Sequence, residues 1–271
     1  MKLVFIGGGN MAQALLAGLQ NQQFLMSEIT VVERDADKRN HLTQKFGVLT
    51  NGALEDATGC ETIVLAVKPQ QLPAVAAAIA PILDHQLIIS IAAGIRVKDL
   101  SAWLNNYQTI VRAMPNTPAQ IQAGISGLYA APSVSNTQRT IANTILSAAG
   151  KTLWVGNEEK LDAVTAISGS GPAYVFYFIE ALKEAACALG LSDADATELS
   201  ITTFKGASLL ADMRETTVQT LREQVTSKGG TTEQGLSSLA DSKVKEAITL
   251  AAKKAHRRAK SLGDELGGIN K

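Results

Sequence analysis

The residue types between Val225 and Leu236 are suited to binding a small anion. The stretch reads Val-Thr-Ser-Lys-Gly-Gly-Thr-Thr-Glu-Gln-Gly-Leu, and an apolar helical pattern resumes directly after it. Two glycines free the backbone and two threonines supply short hydroxyls. Such a loop can direct backbone N–H groups and the positive end of a helix at an anion. The alternative is a helix–loop–helix corner with Thr231 or Thr232 as its N-cap, and the segment alone leaves both interpretations open.

A dinucleotide-binding pattern lies near the other end of the chain, where a Gly-x-Gly-x-x-Ala motif stands between a predicted strand and a predicted helix. One glycine makes the tight turn, the next lets a pyrophosphate approach the backbone, and the alanine permits close helix packing. The two motifs together predict an enzyme with two substrates. The residues predicted to bind a dinucleotide here are Gly7, Gly8, Gly9, Asn10, Met11 and Ala12.

Two neighbouring residues of opposite charge bear on the choice of dinucleotide. Glu33 ends the second predicted strand, where an acidic side chain accepts hydrogen bonds from the adenosine ribose and favours NAD. Arg34 follows at once and could pair with the 2′-phosphate of NADP, or could be an exposed loop charge. The sequence therefore predicts a contact for both residues and leaves NAD against NADP open.

Three further loops follow predicted strands, at the edge where open parallel sheets bind ligands. Lys68 stands either near the cofactor or in a plain strand-terminating Lys-Pro turn, and the amide of Asn116 could pair with the nicotinamide carboxamide. A stiff loop without a ligand role is the alternative for the segment around Asn116. The residues predicted to contact the cofactor are Ala66, Val67, Lys68, Pro69, Ala92, Ala93, Gly94 and Asn116.

Short β-branched runs alternate with helical patterns in the first half of the chain. This alternation predicts a doubly wound sheet with right-handed crossovers. Strands are predicted at residues 3–6, 29–32, 62–67, 87–91, 109–112 and 152–155, and a first helix at residues 11–20 with Leu15, Leu16 and Leu19 on its apolar side.

The second half of the chain reads as helices alone. Ser170-Gly171-Pro172 is a helix start with serine as cap candidate, and Gly190 suits the C′ position at the end of that helix. Further helices are predicted at residues 193–213, 218–225 and 242–262. The predicted architecture is an α/β Rossmann-type N-terminal domain, residues 1–160, followed by an all-α C-terminal domain, residues 161–271. Its many apolar positions indicate burial against a partner subunit.

The overall composition gives no electrostatic case for nucleic acid or membrane as partner, because Lys plus Arg and Asp plus Glu each number 25. Cys60 and Cys187 form no Cys-x-x-Cys pair, which argues against a disulfide framework and fits a reducing compartment. The three histidines lack ligand spacing, so no metal site is expected. No apolar run reaches 18 residues, and we expect a cytoplasmic protein.

Several segments together resemble the pyrroline-5-carboxylate reductase family along the whole chain. The resemblance implies reduction of 1-pyrroline-5-carboxylate to L-proline, the last step of proline biosynthesis, with NADPH generally favoured and NADH often accepted. It also implies a helical domain that interlocks with a second subunit, giving a homodimer or a larger assembly of dimers. The segments are residues 5–11, Ala66-Val67-Lys68-Pro69, residues 112–118, residues 168–174 and Gly229-Gly230-Thr231-Thr232, of which residues 112–118 and the last are the most specific.

The same resemblance implies roles for residues of the helical half. Gly229, Gly230, Thr231 and Thr232 resemble the loop that holds the pyrroline carboxylate, and Thr232, as the catalytic residue, would hydrogen-bond the ring nitrogen. Ser227 matches a serine that helps to hold the carboxylate. Glu215 resembles a substrate-side glutamate in a looser local match, and Lys228 replaces the proline that often precedes the two glycines.

Two other function classes remain open on the residues alone. A β-hydroxyacid dehydrogenase needs a lysine base soon after a glycine-rich helix start, but the first lysine after Gly171 is Lys183, more than two turns later. A nucleotide-sensing module without catalysis explains residues 7–12 and leaves the Gly-Gly-Thr-Thr segment without purpose. A reductase that acts on a protonated imine needs no dedicated strong acid, which suits a chain without a compelling histidine or lysine.

Overall fold

One sheet organises the part of the chain that holds the first glycine motif. The computed structural model describes residues 2–213 and 215–268, except for the side chains of Glu55 and Asp56. Within these residues, eight strands pair in the order β3-β2-β1-β4-β5-β6-β7-β8. They are β1 (Leu3–Ile6), β2 (Ile29–Val32), β3 (Leu49–Asn51), β4 (Thr62–Leu65), β5 (Leu87–Ser90), β6 (Ile110–Met114), β7 (Gly124–Ala130) and β8 (Gly150–Trp154).

Eleven α-helices alternate with these strands and then continue alone along the described chain. Short 3-10 turns and one π-helical stretch, Thr165–Gly169, lie between them. The helices are α1 (Asn10–Asn21), α2 (Ala36–Phe46), α3 (Leu72–Ile79), α4 (Val97–Trp103), α5 (Asn136–Ser147), α6 (Lys160–Val164), α7 (Gly171–Ala188), α8 (Asp193–Asp212), α9 (Val218–Gln224), α10 (Thr231–Asp241) and α11 (Val244–Gly267).

The core lies on both faces of the sheet, because alternate residues of each buried strand point to opposite sides. In β1, Leu3 and Phe5 join one apolar cluster with Leu15, Leu16 and Leu19 of α1. Val4 and Ile6 join a second cluster on the other face. The predicted apolar side of the first helix is thus confirmed. A sheet covered on both faces leaves its strand ends as the accessible edge.

The predicted Rossmann-type fold is confirmed, with local corrections. All six predicted strands are present, but β3 and β7 were not predicted. β7 pairs antiparallel with β6 and parallel with β8, so the sheet is not wholly parallel as the alternation suggested. β7 contains Gly124 and Gly127, which weaken its strand pattern. Helix α6 was also missed, and α11 runs from Val244 to Gly267 rather than from 242 to 262.

The chain forms two compact units, and the first of them consists of two separate segments of the sequence. The first unit is Met1–Ser170 together with Ala255–Lys271, and the second is Gly171–Lys254. The physical reason is that Leu262 and Leu266, late in α11, pack into the apolar cluster around Ile95 and Leu100. The functional boundary near residue 160 stays a prediction.

The second unit is helical and exposes many large apolar side chains. Helices α7 and α8 pack against each other within it. Even so, Phe176 and Tyr177 of α7 are 62% and 67% exposed, and Leu209 and Leu210 of α8 are each 59% exposed. In the part of the chain that the structure describes, none of the helices combines the length and the apolar character of a membrane span.

Candidate active site

The first glycine motif forms the turn from β1 into α1. Gly7 has φ +100°, and a Cβ added there would lie 2.8 Å from the carbonyl oxygen of Ala66. Only glycine fits this position, because an L-residue would have a strained φ angle and its Cβ would collide with the loop after β4. A Cβ added at Gly9 would meet no described atom within 4 Å, so the turn has open space on its outer side.

The start of α1 can bind a phosphate group. Gly9 is the N-cap residue, no side chain caps the described helix start, and its first turn holds no acidic residue. The first backbone N–H groups of a helix have no partner within the helix and carry its positive end. Asn10 and Met11 present this end, whereas Ala12 is buried against the sheet. The open space beside Gly9 and this helix start fit a dinucleotide pyrophosphate.

Glu33 is tied to the same turn. Its Oε2 accepts a hydrogen bond from the Gly8 N–H at 3.1 Å, and its Oε1 accepts one from the Asp35 N–H at 3.2 Å. The guanidinium of Arg39 donates to the backbone oxygens of Glu33 and Arg34 at 2.8 Å each. Arg39 therefore fixes the loop after β2 rather than offering its charge to a ligand. Each carboxylate oxygen of Glu33 keeps a lone pair for a further donor.

A cavity of 410 Å³ lies over the carboxyl ends of β1, β2 and β4. It brings together eight of the residues that the sequence predicted for the cofactor. Lys38, Gly52 and Gln71 also line it and were not predicted. Lys38 lies on the first turn of α2, whereas Arg34 precedes that helix, so no helical spacing in the sequence pointed to Lys38. The predicted residues in the cavity are Gly7, Gly8, Gly9, Glu33, Arg34, Ala66, Val67 and Lys68.

Apart from Asn10, Met11 and Ala12 at the start of α1, the other predicted cofactor residues lie in loops after neighbouring strands, and none of them lines that cavity. Pro69 begins a 3-10 turn directly after Lys68, whose N–H donates to Gln71 Oε1 at 3.3 Å. Ala92 and Gly94 are buried in the loop after β5, with Ala93 half-buried between them. Gly94 has φ +78°. This loop continues the same edge of the sheet.

Asn116 is engaged within the protein. Its Nδ2 donates to the Ser168 carbonyl at 3.1 Å, and its Oδ1 accepts from the Ile125 N–H at 2.9 Å. The side chain is 9% exposed and ties the loop after β6 to the π-helical stretch. One amide hydrogen and one lone pair remain after these two bonds. A contact between Asn116 and the nicotinamide carboxamide stays a prediction, and it would have to form through that hydrogen or that lone pair.

The second glycine motif begins α10. Gly229 has φ +74°, and Gly230 is the N-cap of the helix, so neither Thr231 nor Thr232 is the cap. A Cβ added at Gly230 would lie 2.5 Å from Ser227 Oγ and 3.1 Å from the Ser227 carbonyl oxygen, so a larger residue would require the Ser227 side chain to rotate. Thr231 and Thr232 are exposed on the first turn of the helix. The loop thus presents two glycines and two hydroxyls at a positive helix end.

Ser227 and Glu233 form hydrogen bonds with the two glycines of this loop. The Ser227 carbonyl accepts the Gly230 N–H at 3.0 Å and closes the turn. Glu233, which the sequence analysis did not single out, accepts the Gly229 N–H at 2.7 Å from the first helical turn. This bond resembles a capping box. Glu215 is exposed on a bend before α9, and its place in the site stays a prediction.

Lys183 is not poised to act as a base. Its Nζ forms an ion pair with Asp193 Oδ1 at 2.7 Å within the second unit. The hydrogen bond to Asp193 raises the pKa of Lys183 above its ordinary value, with the charge of Asp193 acting in the same direction and desolvation opposing both. The lysine therefore stays protonated at neutral pH. This argues against the proton-abstracting lysine that an alcohol dehydrogenase of this architecture would need.

The fold and the first glycine site define a dinucleotide-dependent oxidoreductase of the Rossmann type. Residues 2–94 match the family model described as NADP oxidoreductase coenzyme F420-dependent. Residues 158–262 match the model described as pyrroline-5-carboxylate reductase dimerisation. The chain belongs to the pyrroline-5-carboxylate reductase family.

Similar proteins support this assignment over nearly the whole chain. A pyrroline-5-carboxylate reductase of Pseudomonas aeruginosa is 40% identical over 268 residues, covering 98% of both chains. The solved structure of a pyrroline-5-carboxylate reductase from Coxiella burnetii has a TM-score of 0.93 at 40% identity, covering 96% of this chain and 98% of that one. The Plasmodium falciparum pyrroline carboxylate reductase with NADP bound has a TM-score of 0.85 at 31% identity, covering 97% and 98%.

Proposed function

We propose that this protein reduces 1-pyrroline-5-carboxylate to L-proline in the cytoplasm, as the last step of proline biosynthesis. The observation that carries the proposal is the similarity to pyrroline-5-carboxylate reductases along nearly the whole chain, at 40% identity. Two glycine loops that each open a helix, at Gly9 and at Gly230, support it with two places for anionic groups. Two free cysteines are in keeping with a reducing compartment.

The residues of the first unit bind and orient the dinucleotide. The open N–H groups at the start of α1 hold its pyrophosphate, and Gly9 leaves room for the approach. The small residues Ala92, Ala93 and Gly94, with Asn116 on the next loop, receive its nicotinamide end at the same edge of the sheet. Bound in this way, the reduced nicotinamide supplies a hydride to the imine carbon.

The residues of the second glycine loop hold the substrate. The positive end of α10, which begins after Gly230, holds the carboxylate together with the hydroxyls of Ser227 and Thr231. Glu215 lies on the substrate side of the site, away from that carboxylate. Thr232 orients the ring nitrogen through its hydroxyl. The imine enters protonated, so the π electrons of its C=N bond become the nitrogen lone pair when the hydride bonds to carbon, and the proton stays as the N–H of proline. The protein supplies position rather than a strong acid.

We propose NADPH as the preferred cofactor, with NADH accepted. Arg34 and Lys38 both line the 410 Å³ cavity beyond the end of β2 and supply two positive charges for a 2′-phosphate. Glu33, which already accepts the Gly8 N–H, keeps a lone pair for the 3′-hydroxyl of the adenosine ribose, which both cofactors carry, whereas the 2′-hydroxyl is present in NADH alone. The NADP bound to the Plasmodium falciparum relative agrees with this preference.

Replacing the two cations tests this preference directly. We expect Arg34→Ala and Lys38→Ala each to raise KM for NADPH by about 10-fold, since each removes a charge-assisted contact, while KM for NADH hardly changes. The measurement is steady-state kinetics with both cofactors at saturating 1-pyrroline-5-carboxylate. Lys45→Ala, on the far end of α2, is the matched control. Equal changes in KM for NADPH and NADH would contradict the assignment.

The reaction itself is tested by the loss of nicotinamide absorbance on adding 1-pyrroline-5-carboxylate. We expect rapid substrate-dependent oxidation, and a Thr232→Ala variant with kcat lower by about 100-fold, because an oriented hydrogen bond at the reacting nitrogen is lost. Its dissociation constant for NADPH should remain nearly that of the parent. Thr249→Ala, which removes an exposed hydroxyl that donates to the Lys245 carbonyl, is the control. Dinucleotide binding without turnover of any cyclic imine would favour a sensing module instead.

A further inference from the structure

The segment that follows β8 reaches back over the two loops that receive the nicotinamide end. We call residues 158–169 the brace; it contains α6 and the π-helical stretch. A Cβ added at Gly127 would lie 2.6 Å from Val164 Cγ1, and one added at Gly169 would lie 2.8 Å from Met114 Cε. The brace therefore packs closely on β6 and β7. π-helical stretches of this kind occur frequently at functional sites.

Glu158 begins the brace and bonds two elements with one oxygen. Its Oε1 accepts the Val97 N–H at 2.8 Å and Arg112 Nη1 at 2.9 Å. Val97 is the first residue of α4, directly after the loop that holds Ala92 and Gly94, and no side-chain bond from Arg96 caps that helix. Glu158 thus supplies, from a distant part of the chain, the cap that this helix start needs.

The partner of Glu158 is itself fixed. The side chain of Arg112 is 5% exposed and lies in β6, the strand that leads to Asn116. Its Nη2 stands 3.8 Å from Asp162 Oδ1, also in the brace. A buried guanidinium with two carboxylates nearby holds its position firmly, because leaving it unpaired would be costly. Arg112 therefore holds Glu158 in place on the sheet, and Glu158 in turn holds the start of α4 through the Val97 N–H.

The far end of the brace holds the next loop in the same way. The Ser168 carbonyl accepts Asn116 Nδ2 at 3.1 Å. On its other side, the loop after β5 is held by α11, where Arg96 donates to Asp264 Oδ1 at 2.7 Å and to the Lys260 carbonyl at 3.2 Å. Glu158 is thus one of several restraints, and it is the one that fixes the loop at Val97.

We propose that Glu158 is a positioning residue for the reduction: it holds the loop of Ala92, Ala93 and Gly94 in the conformation that receives the nicotinamide ring. The inference rests on the proposed function, since it takes those three residues as cofactor contacts. It assigns Glu158 to the nicotinamide half of the dinucleotide and not to the adenosine half, whose cavity lies around Gly7 and Arg34.

The test compares NADPH with 2′-phospho-ADP-ribose, which lacks the nicotinamide ring, in direct binding titrations without 1-pyrroline-5-carboxylate. The variant is Glu158→Asp, which keeps the charge beside Arg112 but withdraws the oxygen by one methylene. We expect the dissociation constant of NADPH to rise about 10-fold, the effect of one lost hydrogen bond, and that of 2′-phospho-ADP-ribose to change less than about 2-fold. Glu158→Gln, which keeps a neutral acceptor for Val97 N–H, should bind NADPH more tightly than Glu158→Asp.

Glu159→Asp is the matched control, because Glu159 is the exposed neighbour of Glu158; both dissociation constants should stay as in the parent. Equal weakening of both ligands in Glu158→Asp, or no weakening of either, would overturn the proposal and leave Glu158 a purely structural residue. If Glu158→Asp does not fold, the same comparison is made with Glu158→Gln, whose neutral amide oxygen holds the Val97 N–H less strongly than a carboxylate does. A selective loss of affinity for NADPH then supports the proposal, and a non-selective loss or no loss rejects it. A parent protein that binds NADPH but does not oxidise it with 1-pyrroline-5-carboxylate would refute the proposed function, and this outcome is independent of the binding comparison.

Discussion

At the scale of single residues, the glycines of the first motif have different physical duties. Gly7 is required by the backbone, since its φ is +100° and the Ala66 carbonyl stands where a Cβ would be. Gly9 has ordinary φ and ψ and open space around it, so the folded protein alone does not require glycine there. A ligand that lies against the backbone does require it.

This difference predicts opposite outcomes for two alanine variants. Gly7→Ala should lower the free energy of unfolding by about 2 kcal/mol or more, from backbone strain and collision. Gly9→Ala should change it by less than about 1 kcal/mol, as expected for a cap position, yet raise the dissociation constant of NADPH about 10-fold or more by filling the space for the pyrophosphate. Urea unfolding and fluorescence titration measure the two quantities. Parent-like NADPH affinity in Gly9→Ala would remove the pyrophosphate from this turn.

At the scale of elements, close backbone contact decides how α1 sits on the sheet. A Cβ added at Gly18, in the third turn of α1, would overlap the carbonyl group of Ala148, just after α5. The glycine therefore lets α1 approach the turn between α5 and β8. Small residues at such crossings set the distance between elements.

Gly18→Ala should destabilise the protein by about 1–3 kcal/mol, the usual effect of overpacking. The measurement is the free energy of unfolding in urea with and without NADPH. Gly156→Ala serves as the comparison, because a Cβ there meets no described atom within 4 Å, and it should be close to neutral. An unchanged free energy of unfolding in Gly18→Ala would mean that α1 and the turn at Ala148 can move apart without destabilising the protein.

Elements with strong local patterns were predictable from the sequence, and those defined by distant partners were not. Local sequence patterns alone predict the strands β1, β4 and β5, which are continuous apolar runs. They also predict helix α1, whose apolar stripe is Leu15, Leu16 and Leu19. β7 was not predicted because its glycines weaken the strand pattern. Its antiparallel pairing with β6 depends on the folded sheet and leaves no local pattern in the sequence. Glu158 was missed for the same reason, since its partner Val97 lies 61 residues away in sequence. Glu233 bonds Gly229 only 4 residues away, so a local capping pattern could have identified it.

At the scale of the whole molecule, the apolar side chains left exposed on the second unit call for a partner surface. Phe176 and Tyr177 on α7 and Leu209 and Leu210 on α8 are each more than half exposed. A monomer rarely shows so much apolar area to water. The family model that covers residues 158–262 is one for dimerisation. We therefore propose a homodimer formed through this unit.

Light scattering should give at least twice the 28.5 kDa mass of one chain. Phe176→Glu should shift the mass towards one chain or make the protein aggregate, because it places an unpaired charge in an apolar contact. Leu25→Glu, at an equally exposed apolar residue of the first unit, should leave the mass unchanged. A parent protein that is active as a single chain would contradict the dimer.

The sharing of α11 between the two units has a consequence for biosynthesis. Leu262 and Leu266 complete an apolar cluster whose other members begin at Val4 and Ile6, so the first half of the chain emerges from the ribosome without the residues that finish its core. Domains usually fold in the order in which they are synthesised. Here the nucleotide-binding unit is begun first and closed last, after the helical unit has been made. A ribosome that stops at Lys254 therefore leaves the nucleotide-binding unit with an open apolar surface, a target for chaperones and proteases.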